Sequence, residues 1–432
     1  MFQIKTKEMG HFDVAVCGGG IAGVCAAVSA ARNGAKTVLI ERAGCLGGTL
    51  TDGFMPNIMD AANKGGLVKE LFGFLNDHNM TCINRGERLD ENGKRIPGQL
   101  VDTEGIKYYF DRICREAGVT VLFHSQVAAV AMKENTQKPR IESVLITTEC
   151  GNYSLSAEIF LDATGNGLVA DLAGCSWECG DPAEGRPSPA SLGLCTVGFP
   201  RAYNGTDCTE DKNVYAKMLS DHGISISAQQ ATVKKLPSLK TWCMGINFEY
   251  DVMPDDICSW SKAVIDGRKE VFEVSEAQKK IPGYEEMFVA FTSSHIGIRE
   301  GRRIYGEYRL NDDDILEGRR FDDGICLVTI GVDVHKLKKD DTLDCARGYR
   351  TQPYHIPYRC LVAKECENLM LAGRCISGDF YPHASYRMMG NMAATGEAAG
   401  YAAALCCREQ LLPAEFDGTR AQTYMKQAGY QL

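Results

Sequence analysis

Residues 13–42 read "DVAVCGGGIAGVCAAVSAARNGAKTVLIER", and this stretch leaves the backbone little choice. "FDVAVC" (12–17) is short, apolar and β-branched at alternate places, the pattern of a buried strand. "IAGVCAAVSAARNG" (21–34) is Ala-rich and stops at Asn33–Gly34, which predicts a helix. "KTVLIER" (36–42) predicts a second strand ending at Glu41. Glycine loses more backbone entropy on ordering than any other residue, so a glycine run between strand and helix needs a reason. Gly18 permits the tight turn, Gly20 lets a diphosphate approach the backbone, and Gly23 lets the helix lie close on the strand. The helix begins at Ile21 and Ala22, and its free N–H groups face the phosphates. A carboxylate at Glu41 can accept hydrogen bonds from a ribose 2′-hydroxyl and would repel a 2′-phosphate, which disfavours NADP. The pattern predicts a bound dinucleotide and does not by itself separate NAD from FAD.

The rest of the chain sets wider bounds. Its 432 residues suit two or three domains, and 44% hydrophobic with 24% charged residues is ordinary globular composition. The net charge of −9 argues against a nucleic-acid or anionic-membrane surface. No apolar run reaches the ~18 residues needed to span a bilayer, and the first residues lack the apolar core of a secretory signal. The expectation is a cytoplasmic protein with no membrane span. The 19 cysteines are scattered, with Cys175 and Cys179 at CxxxC spacing and Cys406 beside Cys407. Such spacing predicts small buried hydrophobes, with no disulfide framework and no metal site.

Further motifs narrow the dinucleotide. "GCLGGTLT" (44–51) places Gly47, Gly48 and Thr49 soon after the ribose carboxylate. "DATGNG" (162–167) ends a predicted strand and carries Ala163, Thr164 and Gly165. "GIREGRRIYGEY" (297–308), "YHIPYRCLV" (354–362) and the C-terminal "LMLAGRCIS" and "HASYRMMGNMAATGEAAG" follow in order. Together these resemble an FAD-dependent oxidoreductase of the glutathione-reductase-like fold, and more narrowly flavoproteins similar to the flavin subunit of heterodisulfide reductase. The resemblance spans nearly the whole chain and is loose over 176–290. It implies that the first loop holds the FAD diphosphate, with Glu41 and Arg42 on the adenosine side. It implies that Gly47, Gly48 and Thr49 lie near the diphosphate and ribityl chain, and that the Val127 backbone meets adenine. It also implies that the last helix points its start, around Gly390, Asn391 and Met392, at the isoalloxazine. A helix N-terminus there would stabilise the negative charge of reduced flavin. Asp379 is a candidate for the ribityl chain or for a turn cap.

Two absences refine this picture. Flavin disulfide reductases carry a cysteine pair soon after the second glycine doublet, whereas this chain has "GGTLTDGFMPNIMD" there. No second strand–GxGxxG–helix occurs over 176–345, so no separate nicotinamide domain is expected. The expected fold is α/β: a Rossmann-type FAD-binding domain (three-layer ββα) formed by 1–175 and 351–432. A mixed α+β substrate domain, 176–350, is inserted in it. Helices are expected over 64–79 and 104–117, a β-meander over 118–162, and a Pro/Gly-rich boundary loop over 178–193.

Hydride transfer to a flavin is the cofactor's own chemistry, and the protein must position the substrate and manage one proton. Histidine suits that proton best. His383, His355 and His295 lie in the matching segments and are the acid/base candidates, each with a structural alternative. Arg387 and Arg299 could hold a substrate carboxylate bidentately or pair with a buried acid. The function expected is hydride exchange between a small metabolite and flavin N5. Reoxidation would fall to a diffusible acceptor or a partner protein, not a redox dithiol. The alternative is a non-redox flavoprotein: isomerase-like, lyase-like or a docked subunit. A homo-oligomer is compatible with either.

Overall fold

The computed structural model describes residues 4–89, 95–134, 138–200, 203–228, 230–237, 241–339 and 351–432. The end of the expected second region, 340–350, lies outside them. Strand β1 runs Thr6–Cys17, longer than its apolar core, and is fully buried only from Val14 onward. Helix α1 (Ile21–Arg32) follows directly, then β2 (Thr37–Ile40), buried at every residue as an inner parallel strand requires. Helix α2 (Gly66–Asp77) buries Leu67, Leu71 and Leu75, and α3 (Thr103–Glu116) buries Ile106, Tyr109, Phe110 and Ile113. Both follow the 3.6-residue period of their apolar positions. Asp102 caps α3, its carboxylate accepting from the Gly105 amide at 2.8 Å.

Next come β3 (Thr120–Leu122), β4 (Gln126–Met132), β5 (Ile141–Thr148) and β6 (Gly151–Asp162). A smaller antiparallel sheet is built from β7 (Leu194–Val197), β8 (Thr232–Lys235), β9 (Trp242–Gly245) and β10 (Phe288–Thr292), in the order β8-β9-β7-β10. It shares a core with helix α4 (Ile257–Gln278), in which Phe199, Trp242, Met244 and Val271 meet. Strand β11 (Leu369–Leu371), α5 (Phe380–Tyr386), α6 (Met389–Glu409) and α7 (Gly418–Gln427) complete the chain.

The main sheet runs β3-β2-β1-β6-β5-β4. Strands β3, β2, β1, β6 and β11 are parallel to their neighbours, whereas β4 and β5 form the expected antiparallel meander. One edge of β6 is divided: Gly151–Ser156 pairs with β5, and Phe160–Asp162 pairs with β11. This division brings the C-terminal segment into the sheet beside β6, one strand away from β1.

Helices α1 and α6 lie in backbone contact. A Cβ at Gly396 would strike the Ala22 carbonyl oxygen, and one at Gly400 would strike that of Ala26. Ser29 adds a hydroxyl bond to the Glu397 carbonyl at 2.8 Å. The Glu397 carboxylate, 2% exposed, accepts from the Leu67 amide at 2.9 Å and the Tyr430 hydroxyl at 2.7 Å. Among the described residues every cysteine is a free thiol, and no helix is long and apolar enough to cross a membrane.

Candidate active site

Four parallel strands end side by side. The Gly18 amide donates to the Ile40 carbonyl at 2.8 Å, Ala163 to Cys17 at 2.8 Å, and Ala372 to Asp162 at 2.9 Å. The carboxyl edge of a parallel sheet, where such ends meet, is where ligands of these folds bind.

At this edge the three motif glycines do different work. Gly18 has φ +104°, and a Cβ there would lie 2.5 Å from the Ala163 carbonyl oxygen. A Cβ at Gly23 would run into the Gly18 carbonyl, so Gly23 allows helix and loop to touch. Gly20 is different: a Cβ there meets nothing within 4 Å. Gly20 is also the N-cap of α1 and offers no side-chain cap, so the first amides of the helix face open space. Ile21 and Ala22 are buried behind them. The second glycine doublet closes on this loop. Gly47 donates to the Gly19 carbonyl at 2.8 Å, a Cβ at Gly48 would be 3.0 Å from Gly20 Cα, and Thr49 follows in the same 3-10 turn, Gly48–Leu50.

Glu41 is 6% exposed, and its two oxygens accept from the Gly19 amide at 2.5 Å and the Ala43 amide at 2.7 Å. Its carbonyl accepts from Ser125 at 2.9 Å, which holds the segment leading to buried Val127 beside it. Arg42 lies against His295, its Nη2 at 2.5 and 2.8 Å from the two ring nitrogens. Burial first, then Arg42 and Arg374, pushes the His295 pKa down to about 3.

The "DATG" turn is organised by Asp162, a fully buried carboxylate that sequence reasoning passed over. It accepts from the Thr164 amide at 3.0 Å, the Thr164 hydroxyl at 2.7 Å and the Ala170 amide at 3.0 Å. Gly165 (φ +73°) faces Arg374, whose guanidinium also bonds the Ile298 carbonyl. Arg374 was missed as well; its signal is its position soon after the last of the four edge strands, in "LAGRC". Burial first, opposed weakly by Cys375 and reinforced by Arg387 and Arg42, lowers its pKa to about 10.

Helix α6 starts without a side-chain cap. Its Gly390 amide donates to the Met59 carbonyl at 3.0 Å, so that donor is already engaged by protein. Asn391 is fully buried; Oδ1 accepts from Cys326 Sγ at 3.4 Å, and Nδ2 has no partner among the described residues. Met392 is buried next to it.

His383, on α5 just before this helix, is 1% exposed. One ring nitrogen is engaged by the Arg374 carbonyl, and Nε2 is buried with no partner among the described residues. Burial, then Arg303, Arg387 and Arg374, holds its pKa well below the usual value, so the ring is neutral. Arg387 follows one turn later. Its Nη2 donates to the carbonyl and carboxylate of Asp333 at 2.8 and 2.9 Å, and its Nε is buried and unpartnered among the described residues. Arg299 donates to the Pro189 carbonyl at 2.6 Å and to Ser191 Oγ at 2.9 Å, and stacks over Phe248 at 4.8 Å.

Two candidates sit elsewhere. His355 has its Nε2 accepting from Arg320 at 2.9 Å and its Nδ1 donating to the Phe321 carbonyl at 3.3 Å. Both nitrogens serve the packing of its strand, Tyr354–Pro357. The Asp379 carboxylate pairs with Arg309, which also binds Glu178. The buried acid Glu300, next to Arg299 in sequence, pairs with Arg303.

A search of curated proteins finds no match. Among solved structures, the chain is similar to p-nitrophenol 4-monooxygenase PnpA from Pseudomonas putida DLL-E4. The identity is 13%, over 98% of this chain and 88% of that one, with a TM-score of 0.51. It is similar to the flavin-dependent brominase Bmp2 at 13% identity, over 96% and 83% of the two chains, with a TM-score of 0.51. At such identities these likenesses concern the fold. The family model described as FAD dependent oxidoreductase matches residues 13–425. The chain is therefore an enzyme whose cofactor is FAD, and it belongs to the FAD dependent oxidoreductase family.

Proposed function

We propose that the protein exchanges a hydride between a small metabolite and flavin N5, with His383 as the proton-handling group. The observation that carries this is the neutral, buried His383 ring. One nitrogen is fixed by the Arg374 carbonyl, and Nε2 is buried with no partner among the described residues. A fixed neutral imidazole with a free ring nitrogen is what a general base requires.

The residues at the sheet edge fit the cofactor. Gly20 opens to space on its Cβ side, α1 and α6 both begin without side-chain caps, and Glu41 lies within reach of a ribose. In this reading Gly18, Gly20, Ile21, Ala22 and Gly23 hold the diphosphate, with Gly47, Gly48 and Thr49 beside it. Ala163, Thr164 and Gly165 line the ribityl side. Glu41, Arg42 and Val127 take the adenosine end. Gly390, Asn391 and Met392 meet the ring. Arg374 joins the set as a buried cation able to offset diphosphate charge. Asp379 and His355 leave it, because their polar atoms are already engaged. FAD supplies a two-electron acceptor at N5, while the chain's residues orient the substrate and receive its proton at His383 Nε2.

The arrangement is that of a glutathione-reductase-like flavoprotein, similar to the flavin subunit of heterodisulfide reductase. The region 176–350 serves as the substrate domain between the two parts of the FAD domain, 1–175 and 351–432. The separate core around Trp242 and Met244 supports that division. Reoxidation falls to a diffusible acceptor or partner. No cysteine pair stands in "GGTLTDGFMPNIMD", soon after the glycine doublet, and the nearest thiol, Cys45, lies against the Thr51 hydroxyl. The free thiols fit a reducing cytoplasm.

The test is anaerobic. The purified holoenzyme is mixed with small metabolites, and the visible band of oxidised flavin is followed. At least one metabolite is expected to bleach it. Reduction by dithionite but by none of a broad metabolite panel would count for the non-redox alternative.

A further inference from the structure

We infer that the substrate is a small carboxylic acid, its carboxylate held between Arg299 and Arg387 and its reacting carbon close to that carboxylate. This rests on the hydride-transfer reading and names the substrate class for that site.

The argument begins with charge. Arg299 stacks over Phe248 at 4.8 Å, Phe248 meets His335 edge-on at 5.1 Å, and His335 lies beside Asp333, which pairs with Arg387, so these groups form one continuous chain of contacts. Burial first, then Arg387, lowers the Arg299 pKa to about 10, and burial first, then Arg299, lowers the His335 pKa to about 3. The carboxylate among them is Asp333, which accepts from Arg387 at 2.9 Å and lies 3.7 Å from His335 Nε2. Glu300 is already paired with Arg303. Among the described residues, two guanidinium groups beside one carboxylate leave a surplus of one positive charge. A buried surplus charge is costly without an anion.

The hydrogen-bond pattern points the same way. Among the described residues Arg299 donates to neutral acceptors, the Pro189 carbonyl and the Ser191 hydroxyl. Arg387 has a side chain 10% exposed and a buried, unpartnered Nε, and His383 has a buried, unpartnered Nε2. A carboxylate supplies acceptors for the unmatched donor on Arg387 and for the guanidinium of Arg299. The guanidinium fork matches carboxylate geometry in a way that an ammonium does not.

Position then selects the reacting carbon. The Arg387 amide donates to the His383 carbonyl at 3.1 Å, so anchor and base stand one turn apart. Residues four apart on a helix have Cβ atoms about 5–6 Å apart. A carboxylate at Arg387 therefore leaves only a few bonds before the substrate meets His383. The oxidation written for it is balanced. The C–H at the reacting carbon gives a hydride, with its electron pair, to FAD. The attached O–H or N–H proton passes to His383, and a C=O or C=N bond forms.

The test uses the wild-type holoenzyme first, with propionate and benzoate as probes and propionamide and benzamide as their uncharged counterparts. The acids are expected to perturb the flavin spectrum saturably and the amides not to. Arg299→Gln and Arg387→Gln are each expected to weaken acid binding about 10- to 100-fold at unchanged FAD content, with Arg299→Lys giving only partial recovery. Equal perturbation by acid and amide, or wild-type acid binding in both variants, would overturn the inference. The acid–amide comparison needs no variant, so a misfolded mutant leaves it intact. Failure of the redox reading looks different: acids bind and variants lose them, but no acid reduces the flavin. Flavin reduction by uncharged metabolites, with acids inert, would sink the carboxylate and keep the redox reading.

Discussion

The Gly19 amide donates to Glu41 Oε2 at 2.5 Å, so this carboxylate fastens the glycine loop to the end of β2. Together with its bond to the Ala43 amide, this makes Glu41 a clamp, besides the ribose role proposed for it. Glu41→Ala is expected to leave two amides unpaired, at about 1–3 kcal/mol each where buried. Thermal melting of the apoprotein should show the loss even when no flavin is present. An apoprotein melting as wild type would reduce Glu41 to a ligand group alone.

Gly20 and Gly23 should separate binding from folding. Gly20→Val places its side chain where the protein has open space, so the apoprotein is expected to fold with an unchanged far-UV spectrum and to retain little FAD. Gly23→Val forces a side chain into the Gly18 carbonyl and is expected to prevent stable folding. Stoichiometric flavin in folded Gly20→Val protein would contradict the diphosphate role.

His383→Gln keeps the side chain polar and removes the base. Flavin reduction by the substrate is expected to slow roughly 10²–10⁴-fold, measured by anaerobic stopped flow, with FAD content unchanged. His355→Gln, whose ring nitrogens are engaged in packing, should lower stability and leave the rate near wild type. The reverse pattern would transfer the role to His355.

Glu249 offers a pH test away from the flavin. Its side chain is 9% exposed, Oε1 has no partner among the described residues, and burial aided by Glu270 and Asp266 raises its pKa to about 7. The folded state therefore keeps a proton that the unfolded chain releases near its ordinary carboxylate pKa of about 4.3. Stability from this group is full below that value and is lost as pH rises through about 7. Glu249→Gln is expected to flatten this fall and to gain about 1–2 kcal/mol at alkaline pH, after allowance for solvent screening. Urea melts at acidic and alkaline pH would show it, and parallel pH profiles for variant and wild type would exclude it.

The order β1-α1-β2 could be read from residue pattern because each element's periodicity, stop signal and loop chemistry agree locally. The same holds for α3, whose Asp102 cap and apolar spacing sit within one short stretch. Arg374 and Asp162 escaped notice because their work depends on strands far apart in sequence. Only the divided edge of β6 brings 162 beside 371. The engagement of Asp379 by Arg309 and of His355 by Arg320 is likewise a matter of tertiary packing. Gly396 and Gly400 did carry a legible signal, two small residues four apart, but its meaning depended on knowing that Ala22 and Ala26 lie opposite.

That opposition sets a length. Gly396 meets Ala22 and Gly400 meets Ala26, so the two helices run in the same direction with no side chains between them to compress or slide. Helix α6 begins about two turns further forward than α1, roughly 9 Å at 1.5 Å per residue. In the proposed reading the two helix tips, held at this fixed step, meet different parts of one cofactor, the diphosphate and the ring. Inserting a single residue ahead of Gly396 would change that step while leaving α1 and the glycine loop as they are.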